Sequence, residues 1–97
     1  MEFLIELQEL IDDRKKKMPE GSYTTTLFRD GINRVAQKVG EEAIELIIES
    51  KDNNPELFLN EAADLMYHYL VLLSFKGYRI EQVVEILKAR HRKSLEH

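Results

Sequence analysis

The chain reads as all-α, an antiparallel bundle of four to five helices. Three observations predict this. Apolar residues recur at helical spacing in successive segments, no stretch alternates with period two for long enough to be a strand, and proline, glycine and asparagine punctuate the segments as helix stops and starts. Ninety-seven residues suffice for one domain and one core, which we place at residues 1–94. The last three, Leu95, Glu96 and His97, read as the start of a polyhistidine-tag scar.

The first helix is expected over Phe3 to Lys16, where Phe3, Leu4, Leu7, Leu10 and Ile11 form an amphipathic stripe that ends before Pro19 and Gly21. Its basic run, Arg14 to Lys17, falls in the last turn, where cations complement the negative end of the helix dipole. GSYTTTLFRDG follows as a polar linker and then a short helical turn carrying Leu27 and Phe28, with Ser22 and the threonines as N-cap candidates. From Ile32 to Ser50 the positions Ile32, Val35, Ala36, Val39, Ala43, Leu46 and Ile47 keep helical period, until Lys51 to Pro55 end the run. Next, Pro55 to Lys76 is apolar on nearly every side and is capped by Gly77. A helix of that kind must be buried all round, and so small a domain cannot cover it, so a homodimer with this helix at or near the interface is expected. A last helix, about Ile80 to Arg92, shows Ile80, Val83, Val84 and Leu87 on one face.

Composition excludes several classes. There is no cysteine, hence neither a disulfide framework nor a thiolate metal site. The N-terminus lacks the basic region of a signal peptide, and Tyr67, His68 and Tyr69 interrupt the longest apolar run before it reaches membrane-spanning length. A cytoplasmic protein with no membrane partner is the expectation. The net charge of -4, with no basic recognition helix, argues against nucleic acid as a partner.

Chemistry concentrates in two acidic clusters. Glu41, Glu42 and Glu45 lie in KVGEEAIE, and Glu61 and Asp64 lie in NEAADLMYHYL. Residues three apart share a helix face, so Glu42 with Glu45, and Glu61 with Asp64, form converging pairs on two helices that a short turn folds antiparallel. A solvated charge run explains this poorly. Like charges four apart, such as Glu41 with Glu45, cost about 0.2–0.5 kcal/mol on an exposed helix, and Lys38 offsets only part of that. Glu61 and Asp64, moreover, sit in a helix otherwise nearly free of charge, where carboxylates need a compensating partner. A divalent cation between the pairs resolves the repulsion, and oxygen donors suit magnesium, or manganese in its place, better than zinc. Phosphate chemistry follows as the first expectation.

E-x-x-E, fifteen residues, then E-x-x-D, with a further glutamate before the first, resembles the pattern of the all-α nucleoside triphosphate pyrophosphatases. GSYTTTLF, GINRVAQKVGEEAIELI and NEAADLMYHYLVLL, in that order, resemble the phosphoribosyl-ATP pyrophosphatases of histidine biosynthesis, from about Gly21 to His91. The resemblance implies hydrolysis between the α and β phosphates of 1-(5-phosphoribosyl)-ATP, a magnesium cofactor and a helical homodimer. It places metal ligands at Glu42, Glu45, Glu61 and Asp64, with Glu41 a further ligand or water-orienting base. It also implies a stand-alone enzyme without the cyclohydrolase domain fused in some relatives.

Substrate contacts are open between two readings at each position. Lys38 meets a phosphate or pairs with Glu42; Ser22, Tyr23 and Thr24 bind ribose or phosphate, or cap a helix; Arg29 and Arg34 are further phosphate candidates. His68 continues the face of Glu61 and Asp64 and reads first as a structural hydrogen-bonding group. Arg90, His91 and Arg92 are accounted for by the helix dipole, with a reach across a dimer as the alternative. Two other functions stay in play: a house-cleaning pyrophosphatase of simple nucleoside triphosphates, and a non-catalytic helical interaction domain.

Overall fold

Five helices follow in order: α1 (Glu2–Lys17), α2 (Tyr23–Asp30), α3 (Ile32–Glu49), α4 (Pro55–Lys76) and α5 (Ile80–Leu95). The computed structural model describes residues 1–95, and there is no strand among the described residues. Of the tripeptide read as a tag remnant, Leu95 ends α5, while Glu96 and His97 lie outside the described residues.

Local chemistry sets most of the boundaries. α1 stops at Met18, whose left-handed backbone (φ 51°) lets its N–H reach the Arg14 carbonyl at 2.8 Å. That conformation costs a side-chain-bearing residue roughly 1–2 kcal/mol, and Met18 offsets it by packing against the core. Ser22 caps α2 by accepting from the Thr25 N–H, so the helix begins within the hydroxyl run, several residues before the turn expected at Leu27 and Phe28. Gly31, at φ 96° and ψ 178°, lets α3 follow α2 with no linker, in a backbone region open essentially to glycine alone. Asn54 caps α4 through its side-chain oxygen, with Pro55 at the first helical position, and Gly77 (φ 82°) closes α4 in the left-handed region.

α3 and α4 form a long hairpin about the turn at residues 50–54, and this is the most extensive helix pair. α1 lies along α4, α2 bridges α1 and α3, and α5 touches α1. The core gathers at one end of the hairpin from all five helices: Ile11, Leu27, Phe28, Val35, Leu70, Val71 and Ile80. Phe28 stacks on Phe75 there, with ring centroids 5.9 Å apart. The other end of the hairpin is bare: Ile44, Ile47 and Ile48 of α3 and Leu57, Leu59 and Met66 of α4 are all exposed. The radius of gyration, 15.4 Å, accordingly exceeds the roughly 12.5 Å expected of a compact chain of this length.

Candidate carboxylate metal centre

Three of the four acids singled out as metal ligands meet between α3 and α4. Glu42, Glu45 and Glu61 each bring a carboxylate oxygen into a group whose members all lie within 4.8 Å of one another. Helical spacing aligns Glu42 and Glu45 on α3, and the antiparallel hairpin carries Glu61 across to them. Glu42 is buried, Glu61 half-buried and Glu45 exposed, so the group opens to solvent on one side. Asp64, one turn beyond Glu61, is exposed and outside this group of three.

Crowding shows in the protonation of Glu61. Its carboxyl is pushed up to about 7, first by sharing a proton with Glu45, then by loss of hydration, then by Glu42. One of its oxygens, Oε2, is buried without a hydrogen-bond partner. Gathered hard oxygen donors, an orphaned oxygen and a proton held near neutrality are what a site for a small divalent cation presents, the cation taking the place of the proton. The residues therefore fit magnesium.

Lys38 and Glu41 flank the group. The Lys38 ammonium lies 3.5 Å from Glu42 Oε1 and 3.9 Å from Glu41 Oε2. Desolvation lowers the Lys38 pKa, but Tyr23, Glu42 and Glu41 outweigh it and hold the value above that of an ordinary lysine. Glu41 also accepts from Gln37 Nε2 at 2.7 Å and stands at the exposed rim.

α2 closes the side nearest His68. The Tyr23 hydroxyl and His68 Nε2 are 2.8 Å apart, Thr24 Oγ1 hydrogen-bonds the Tyr67 hydroxyl, and His68 Nδ1 stands 4.0 Å from Glu42 Oε1. Ser22, by contrast, uses its oxygen to cap α2, so the capping reading accounts for it. Arg34 pairs with Asp30 and lies over the Tyr23 ring, 5.9 Å from its centroid, while Arg29 is exposed. Tyr67 was not among the residues singled out from the sequence. Its signal was there, a polar tip beside His68 in an otherwise apolar helix, but the partner is 43 residues away.

Comparison with known proteins decides the family. The family model of phosphoribosyl-ATP pyrophosphohydrolase matches residues 4–91. The chain belongs to this family. It is 55% identical over 89 residues to the histidine biosynthesis bifunctional protein HisIE of Bacteroides thetaiotaomicron, covering 92% of this chain and 44% of that protein. It is 45% identical over 91 residues to the phosphoribosyl-ATP pyrophosphatase of Leptospira biflexa, covering 94% of this chain and 99% of the relative. With the phosphoribosyl-ATP pyrophosphatase of Clostridium acetobutylicum it shares 47% over 94 residues, 97% of this chain and 86% of the relative. The chain thus spans less than half the length of the bifunctional relatives, such as that of Bacteroides thetaiotaomicron. Among the described residues, no helix is long and apolar enough to cross a membrane.

Proposed function

We propose that the protein hydrolyses 1-(5-phosphoribosyl)-ATP to 1-(5-phosphoribosyl)-AMP and pyrophosphate, the second step of histidine biosynthesis, in the cytoplasm. Glu42, Glu45, Glu61 and Asp64 would hold magnesium. The observation that carries this reading is the meeting of Glu42 and Glu45 with Glu61 across two helices, within 4.8 Å, in a chain of this family. Bound magnesium supplies neutralisation of phosphate charge and polarisation of the anhydride. The remaining work falls to the protein's own groups. Lys38, beside Glu42, would meet a phosphate oxygen; Glu41, at the rim, would orient the attacking water; Tyr23 and Arg34, at the start of α2 and α3, would contact the nucleotide, with Thr24 held by Tyr67.

A homodimer belongs to the same proposal. The bare end of the α3–α4 hairpin carries an apolar groove of about 380 Å³ lined by Val39, Leu46, Ala62, Leu65, Met66 and Tyr69. Exposed patches of this kind on a helix pair are covered in stable proteins, and a second copy of the same hairpin is a self-complementary cover. Sedimentation equilibrium at micromolar concentration should return twice the monomer mass; a monomer would remove this part of the proposal.

The activity is tested by incubating the protein with magnesium and, separately, phosphoribosyl-ATP, dCTP and dUTP, and following pyrophosphate release. Turnover of phosphoribosyl-ATP well above the others is expected. Preference for a simple nucleotide would instead make it a house-cleaning enzyme, and no turnover of any would leave an interaction domain.

A further inference from the structure

His68 is buried, 6% exposed, and both its ring nitrogens are engaged. Nδ1 lies 2.8 Å from the backbone carbonyl of Asp64. A carbonyl has no hydrogen to give, so the hydrogen in that contact is on Nδ1. Glu42 Oε1, the carboxylate oxygen facing the ring, is 4.0 Å from Nδ1 and beyond hydrogen-bond reach; we take the ring as neutral, which leaves Nε2 a bare acceptor, so the Tyr23 hydroxyl facing it at 2.8 Å is the donor. The Tyr23 oxygen then keeps only acceptor capacity. It can receive a hydrogen bond from a ligand but cannot give one to a phosphate.

Resting on the nucleotide-binding reading above, we infer that His68 is a positioning residue that fixes Tyr23 as a hydrogen-bond acceptor for a ribose hydroxyl of the substrate. Three contacts hold Tyr23 for this. His68 accepts a hydrogen bond from its hydroxyl, the neighbouring Thr24 is tied to Tyr67 on α4, and the Arg34 guanidinium lies over its ring. The choice of ribose follows from the surroundings. Tyr23 stands beside Arg34, at its ring, and near Lys38; both are cations suited to phosphate oxygens. The donors covalently nearest to a nucleotide's phosphates are the hydroxyls of its ribose, whereas a base amine lies at the far end. Tyr23 is 46% exposed, so a ligand can reach it.

Asparagine and glutamine separate the two nitrogens, because an Asn amide stands near the place of Nδ1 and a Gln amide near that of Nε2. Tyr23→Phe and His68→Asn should each raise KM for phosphoribosyl-ATP roughly five- to tenfold while kcat changes less than about twofold. The double variant should be no worse than either single one, and His68→Gln should restore a KM near that of the unmodified protein. Additive effects, or equal damage from Asn and Gln, would overturn the inference. Substrate analogues lacking the 2′- or the 3′-hydroxyl of the adenosine ribose locate the donor: on one of them Tyr23→Phe should cost nothing further, and an unchanged cost on both would refute the ribose contact. A readout independent of turnover is the nitrogen-15 spectrum of the His68 ring in the resting protein. Hydrogen on Nδ1 only, with an Nε2 resonance that moves in Tyr23→Phe, is expected; hydrogen on Nε2, alone or together with Nδ1, would overturn the inference even in an active enzyme. Absence of turnover by the unmodified protein would defeat the proposed activity and leave this spectroscopic test standing.

Discussion

Gln8 on α1 and Glu61 on α4 both bring polar atoms out of water, yet one has every atom matched and the other does not. The Gln8 side chain, fully buried, donates to Ser74 Oγ at 3.1 Å and to the Tyr78 carbonyl at 2.9 Å, and accepts from the Ile80 N–H at 2.7 Å. One amide thereby ties α1 to the end of α4 and the start of α5. Lys15, donating to the Ser74 carbonyl at 2.7 Å, and the Arg79–Asp12 pair reinforce the same corner. Glu61 faces other acceptors, keeps an unpartnered oxygen and holds a proton up to about pH 7. A buried polar group with all partners present stabilises a fold and specifies its geometry; one whose partners are missing is destabilising unless something binds there. The first network fixes how α1, α4 and α5 meet; the second leaves a Glu61 oxygen, among other carboxylates, without a partner.

The sharpest contrast comes from removing the two groups in turn. Under the proposed role of Glu61 as a metal ligand, Glu61→Gln should cut pyrophosphate release by about a hundredfold or more, since such a ligand underlies several kcal/mol of transition-state stabilisation. The same change should raise the melting temperature of the metal-free protein at pH 8, because it relieves like-charge crowding; a fall would mean that Glu61 is structural. Gln8→Ala should do the reverse. Leaving the Tyr78 carbonyl and the Ile80 N–H without partners should cost about 2 kcal/mol, read in urea unfolding or as a drop in melting temperature of roughly 10 °C, with turnover per folded molecule intact.

The pH dependence follows from the sign of the Glu61 shift. Its folded pKa, about 7, stands above the ordinary 4.5, so the folded state binds this proton more tightly than the unfolded one. The resulting contribution to stability is fully present below pH 4.5 and is lost as pH rises through 7 in the metal-free protein. Under the proposed magnesium site the metal would compete with that proton, and its affinity by calorimetry should be about tenfold weaker at pH 6 than at pH 8. A flat profile would place the metal away from Glu61. The smallest effect is expected at Lys15→Met, which removes the charge from the α4 carbonyls at the end of the helix; a loss of about 0.5–1 kcal/mol in urea unfolding, with magnesium affinity unchanged, would keep the two networks separate.

Helices were the legible part. α4 begins and ends where Pro55 and Gly77 said it would, α1 is longer than expected by one residue at each end, and α3 is shorter by one at its C-terminus. α2 was harder, since Ser22 and the three threonines after it all make acceptable caps and only the packing of Thr24 and Thr25 selects among them. α5 runs to Leu95 rather than stopping near Arg92, because its last turns are exposed and no breaker interrupts them. At the site, the pairing of the acids was readable from their spacing. Glu42, Glu45 and Glu61 meet as the pattern suggested, while the separate position of Asp64 depends on which side of α4 turns toward α3.

What the amino-acid order determined by itself was whatever depends on neighbours a few residues apart: helical period, caps, and acids placed to share a face. These act over one or two turns, so spacing alone specifies them. Tertiary structure decided the rest. Gln8 finds Ile80 across 72 positions of sequence and Tyr23 finds His68 across 45, and no local pattern says which residue pairs with which. The proton on Glu61 belongs to this second category as well, because its affinity is set by Glu45 and Glu42, which only the antiparallel hairpin brings near. Distance through space governs burial, charge and hydrogen bonding, and distance along the chain does not.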